Sequence, residues 1–109
     1  MVATEVGVQL VFDAQVLAPG HVATLIGSVL SVSVLNLATN RRTSYPATIG
    51  GVATILGVSY AGGAYGSYVT TGSEFPTAGT YQIQLVAAFN GGLQVYKSPP
   101  QILSIDVAL

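Results

Sequence analysis

The chain has no cysteine and almost no charge. Without cysteine there is neither a disulfide framework nor a thiolate zinc site, which fits a reducing compartment. Only three residues are Lys or Arg and four Asp or Glu, so 6 % of the chain is charged, against about 25 % in ordinary domains. Nucleic acid as a partner is excluded on this count, because phosphate binding needs clustered cations and only Arg41 and Arg42 are adjacent. The N-terminal MVATEVGV has no basic region, so no secretory signal is expected. The longest apolar-leaning run, VATLIGSVLSVSVL at 22–35, is too short and too serine-rich to span a bilayer. No segment sustains a 3.6-residue apolar period, which predicts no helix longer than a turn or two.

What is present is hydrophobicity, at 50 % of residues, which excludes disorder. At 109 residues the chain reads as one domain, 1–109, large enough to bury about two thirds of its unfolded surface. So neutral a monomer would be weakly hydrated and would tend to associate. The composition therefore points to a surface covered by other copies or other proteins. The plainer alternative is a monomer kept in solution by Thr, Ser, Gln and Asn.

Period two dominates the chain. In VGVQLVFDAQV (6–16), Val6, Val8, Leu10, Phe12, Ala14 and Val16 fall on one face, and Gly7, Gln9, Val11, Asp13 and Gln15 on the other. VLSVSVLNLA (29–38) sets Leu30, Val32 and Val34 against Ser31 and Ser33. TYQIQLVAAF (80–89) turns Tyr81, Ile83, Leu85, Ala87 and Phe89 inward, with Gln82 and Gln84 outward, and ILSIDVAL (102–109) buries Leu103, Ile105 and Val107. Asn90-Gly91 is the strongest hairpin signal, since both residues tolerate positive φ in a type I′ turn. Gly50-Gly51 and Gly62-Gly63 predict two further reversals. Pro99-Pro100 cannot occupy a central strand and marks either a break or a guarded edge. The pattern predicts an all-β fold, an antiparallel β-sandwich of seven to eight strands with no substantial helix.

Candidates for chemistry are few. His21 follows Pro19-Gly20 in a turn, and one histidine with four scattered carboxylates offers no metal set. Asp13 and Asp106 would be neighbours if the first and last strands paired, but both face outward and read as solvated edge charges. No nucleophile motif, phosphate loop or dinucleotide fingerprint is present, so no enzyme activity, cofactor or metal is expected. Tyr60, Tyr65 and Tyr68 flank a glycine loop in SYAGGAYGSYV. They suit packing against the core or an edge, a protein interface, or a sugar-stacking platform. Arg41 and Arg42 read as a loop between strands, either solvated or paired with a partner's charge. Gln82 and Gln84 give an outward face that costs less to desolvate than Lys or Glu would.

Gly79-Thr80-Tyr81 fits a tyrosine corner, in which a Gly-x-Tyr step opens a central strand and the hydroxyl bonds back to the corner. With the order running from VGVQLVFDAQV through LIGSVLSVSVLNLATNRRTSYPATIGG to GSYVTTGSEFPTAGTYQIQLVAAFNGGLQVYKSPPQILSI, the chain resembles the small immunoglobulin-like domains of tailed-bacteriophage virion proteins. It is similar in particular to the N-terminal domain of phage baseplate upper proteins and to head or tail accessory proteins. Gly79, Tyr81, Asn90-Gly91-Gly92, Tyr96 and residues 102–105 carry the likeness, which covers nearly the whole chain. Two departures stand out: family members are usually rich in Asp, Lys and Glu, and often carry a further fibre or receptor-binding region.

The resemblance implies a non-enzymatic structural component of the virion, made in the host cytoplasm, whose partners are capsid or tail subunits and further copies of itself. A capsid decoration or cement role is the first expectation, with a trimer as the first symmetry. Residues 1–5 would then be a flexible arm that orders on assembly. A tail, baseplate or fibre-attachment protein is the alternative, as is a glycan-binding adhesion module using the surface tyrosines. Neither nucleic acid nor membrane is an expected partner.

Overall fold

The period-two segments form two facing antiparallel sheets in the computed structural model, which describes residues 1–14 and 24–107. The strands are β1 (Val6–Asp13), β2 (Val29–Asn36), β3 (Arg41–Pro46), β4 (Thr48–Ile49), β5 (Ala53–Ile55), β6 (Val58–Tyr60), β7 (Tyr65–Thr71), β8 (Gly79–Phe89), β9 (Gln94–Lys97) and β10 (Gln101–Ile105). One sheet has the order β1-β7-β4; the other runs β10-β8-β2-β3, with β9 also on β8. The chain crosses between sheets after β1, β3 and β7, which is the crossover pattern of an immunoglobulin-type sandwich. β5 and β6 form a separate two-stranded hairpin. The antiparallel sandwich agrees with the sequence pattern. Its strands number ten among the described residues because the final edge strand is broken in two and residues 53–60 make a hairpin of their own. No helix of the described residues is long and apolar enough to cross a membrane.

The core lies between the sheets. Phe12 from β1, Leu30, Val32 and Val34 from β2, Tyr81, Ile83, Leu85 and Ala87 from β8 and Ile105 from β10 form one buried cluster, joined by Leu25 and Phe75 from the connections. These are the inward positions of the alternation. Two expected members are exposed. Val6 precedes a register irregularity between Val6 and Gln9, where Gly7 at φ 83° turns it off the core face. Val107 lies past the end of β10, beyond the paired sheet. Val16 and His21 lie outside the described residues.

Each break in the ladders is repaired by a hydroxyl. At the β1 bulge the Val8 N–H donates to Thr70 Oγ1 at 3.0 Å. At the second break, β8 keeps pairing with β9 through Val86 and Lys97 and resumes with β10 through Ile83 and Gln101. Three residues, Ser98, Pro99 and Pro100, there oppose two, Gln84 and Leu85, so Pro99-Pro100 mark a bulged break in an edge. Buried Ser98 donates its N–H to Leu85 O and accepts the Leu85 N–H on Oγ, both at 2.9 Å.

The reversal expected at Asn90-Gly91 is present, spread over four residues between paired Phe89 and Gln94. Asn90, Gly91 and Gly92 all have positive φ. The tight two-residue turn lies elsewhere, at Leu56-Gly57 between paired Ile55 and Val58, with φ 50° and 80°. Both central residues are left-handed there, as a type I′ turn requires, and Leu56 is fully exposed. A branched apolar residue is strained in that region, whereas Asn tolerates it. Leu56→Asn is therefore expected to stabilise the protein by about 1 kcal/mol, read as a raised urea midpoint with an unchanged slope.

The segment 1–5 is held in the single chain. Val2 bridges in parallel to Asp106, Ala3 N–H donates to Asp106 O and Thr4 N–H to Phe75 O, each at 2.9 Å, and Ala3 is buried. The first and last strands do not pair, since β1 and β10 belong to different sheets.

Candidate interaction surfaces

Gln82 and Gln84 sit where the alternation puts them, on the outer face of the larger sheet. Because Tyr81, Ile83 and Leu85 are buried, the residues between them point away from the core. Pairing then sets Leu35 and Ile102 beside Gln82, Ser33 beside Gln84, and Lys97 beside Val86. Arg41 and Arg42 are not in a loop. They open β3 opposite Asn36 and Leu35, because the connection is a tight turn in which Asn36 Oδ1 accepts the N–H of Ala38 at 3.0 Å and Asn40 takes φ 56°. Arg42 thus lies on this same face. Its Nη1 donates to Ser33 Oγ at 2.7 Å and to Gln84 Oε1 at 3.4 Å, and Gln84 Nε2 donates to Ser98 O at 2.9 Å. The polar groups form a belt across the strands, satisfied before any partner arrives. Around it, Val29, Val95 and Ile102 are half to three-quarters exposed.

The three tyrosines do not share a surface. A Cβ at Gly66 would meet side chains of Leu30, Leu25 and Leu85, so Gly66, Tyr68 and Thr70 line the inner face of β7. Tyr65 is on the outer face, yet it is buried. The Tyr60 ring covers it at a centroid distance of 4.8 Å, and a Cβ at Gly50 would fall 2.1 Å from the Tyr65 ring. Only glycine permits that contact. The pair anchors the β5–β6 hairpin against the outer face of the smaller sheet. Between hairpin and sheet runs a groove of about 500 Å³ lined by Gln9, Val11, Ile55, Leu56, Val58 and Tyr60.

Tyr68 instead closes a buried acidic site that no motif or spacing announces. Glu74 is buried, and its carboxylate accepts the Tyr68 hydroxyl, the Thr71 N–H at 2.9 Å, the Thr71 hydroxyl at 2.8 Å and the Gly72 N–H at 3.1 Å. Burial acts to raise its pKa, but these donors outweigh burial and hold the carboxyl down to about 2. Burial and the Glu74 carboxylate together push the Tyr68 hydroxyl well above its ordinary range. A neighbouring cleft of about 100 Å³, lined by Arg41, Tyr45, Glu74 and Tyr81, has room for about three water molecules. The carboxylate is thus spent on its own loop. No group of three or more metal-ligating side chains occurs among the described residues. Comparison with family models, with curated proteins and with solved structures gives no match to this chain.

Proposed function

We propose that this chain is a non-enzymatic structural subunit of a bacteriophage particle, seated by contacts between its neutral sheet faces and neighbouring subunits. The observation that carries the reading is the exposure of large apolar side chains on the outer sides of both sheets and on the hairpin: Val29, Val95 and Ile102 on the larger sheet, Val69 on the smaller and Val58 on β6. Exposed apolar side chains beside polar groups already satisfied within the chain suit contact with another protein surface. The belt of Arg42, Gln84 and Ser98 is already hydrogen-bonded, so covering it strands few polar groups. Capsid decoration suits a small neutral sandwich better than receptor binding does, and a trimer is the first symmetry to test. Tail or baseplate attachment is the second reading, on the same surfaces. A glycan platform is disfavoured because Tyr65 is buried and Tyr68 faces inward.

Mass spectrometry of purified particles tests the reading: the chain present at the copy number of a capsid lattice supports decoration, and its absence sinks the proposal. Gln82→Lys is expected to leave folding intact and to lower incorporation at least about tenfold, a loss of about 1.4 kcal/mol of contact energy. Gln84 is unsuitable for this test, since its amide bridges Arg42 and Ser98.

A further inference from the structure

Among the described residues, four strand edges bound the two main sheets, and three carry devices that keep native sheets from pairing edge to edge. β3 begins with Arg41 and Arg42 and ends at Pro46. The β9–β10 edge is broken by Pro99-Pro100, flanked by Lys97, and covered at its end where Val2 meets Asp106. β4 is only two residues long. β1 differs. It has eight residues, neither Pro nor cation, and its bulge is confined to the start, so that the register with β7 runs unbroken from Gln9 to Asp13.

The main chain of β1 shows which groups are on offer. Ala14 N–H donates to Ala64 O on the β7 side, and Val8 N–H points the same way, to Thr70 Oγ1. Alternation then turns the N–H and C=O of Gln9 and Val11 to the opposite side, where no strand lies among the described residues. Val8 and Leu10 face the core but are only half buried. The apolar groove under the β5–β6 hairpin is lined by the outward side chains of the same two residues, Gln9 and Val11. An added strand would complete the ladder, cover Leu10 and fill that groove.

We propose that β1 is a pairing edge whose occupant is β1 of a second copy, antiparallel across a two-fold axis. In the register that places Leu10 opposite Leu10, Gln9 faces Val11 and exchanges both main-chain hydrogen bonds with it. Asp13 then faces Gly7, so no like charges meet, and no charged side chain enters either groove. Isologous contacts of this kind close at two copies and leave no edge for growth. Main-chain pairing supplies affinity, as in other strand additions. The pairing concerns the purified chain alone, so it can fail while the particle reading holds, and the reverse.

Sedimentation equilibrium over a wide concentration range, with amide exchange followed residue by residue, tests it. The expected result is a monomer–dimer equilibrium in which Gln9 and Val11 amides gain protection as dimer forms. Val11→Pro removes an N–H that β7 does not use, and Gln9→Lys places like charges on both sides of the axis. Each is expected to raise the dimer dissociation constant at least about tenfold, equivalent to about 1.4 kcal/mol, with an unchanged far-ultraviolet spectrum. If Val11→Pro does not fold, Gln9→Lys decides alone. A monomer at every concentration, open-ended polymers, a dimer that folded variants leave intact, or a dimer whose Gln9 and Val11 amides exchange as in the monomer would each overturn the proposal.

Discussion

Glu74→Ala is expected to destabilise the protein by about 3–4 kcal/mol at neutral pH, leaving it marginal against a total of about 5–15 kcal/mol for a domain of this size. The substitution removes the acceptor for two backbone N–H groups, the Thr71 hydroxyl and the Tyr68 hydroxyl in one step. Buried donors without partners cost about 1–3 kcal/mol each, partly relieved where water enters. The pH dependence gives an independent reading. The folded carboxyl sits at about 2 against an ordinary 4.5, so its stabilisation is complete above pH 4.5 and is lost as pH falls toward 2. A depression of that size corresponds to about 3 kcal/mol. Glu74→Gln keeps one acceptor oxygen and cannot ionise. It is expected to be less stable than the parent at pH 7, with the gap closing between pH 4.5 and 2. Urea midpoints across that range decide the matter, and a gap independent of pH would show that the carboxylate charge contributes nothing.

Glu74 was illegible in the sequence because its partners are set by a loop conformation, not by a spacing. Nothing in TTGSE announces that Thr71, Gly72 and Tyr68 converge on one carboxylate. The β5–β6 hairpin is illegible for a related reason: its turn is Leu56-Gly57, and leucine is not a residue from which a left-handed turn is inferred. Composition suggests a loop at Arg41 and Arg42, but the Asn36–Asn40 connection is tighter than that and both residues pair in β3. Tyr65 shows the limit of alternation. Position puts it on an outer face, and burial comes from Gly50 and Tyr60, which only the tertiary fold brings over it. By contrast the inward set of β2 and β8 was legible residue by residue, since period two and a central position in the sheet leave one arrangement that buries them. The polar positions Gln82 and Gln84 were legible as outward. Their linkage to Arg42 and Ser98 was not, because register across three strands decides it. The outer surfaces thus divide by range: a residue's face follows from its own strand, and its neighbours follow from pairing.

Tyr81 is the point where local signal and tertiary role coincide, and a two-step series separates its parts. Its ring is 1 % exposed and meets Phe75 edge-on at 4.9 Å, while its hydroxyl donates to Thr77 O at 2.7 Å. Tyr81→Ala is expected to cost about 4 kcal/mol, since a large buried aromatic is removed and the sandwich relaxes only in part. The melting temperature should fall by about 15–25 °C. Tyr81→Phe keeps the ring and deletes the corner bond together with the 3.2 Å hydroxyl contact to Thr77 Oγ1. Thr77 is exposed, so water can reach its carbonyl, and the expected cost is about 1 kcal/mol. The contrast carries the meaning. If the phenylalanine variant loses as much as the alanine one, the corner bond and not ring burial holds the β7–β8 connection. That connection also carries Glu74, so the phenylalanine variant should then shed part of the parent's acid dependence as well. If instead it loses only the smaller amount and keeps the parent's pH profile, the corner and the carboxylate loop are independent anchors on the same crossover.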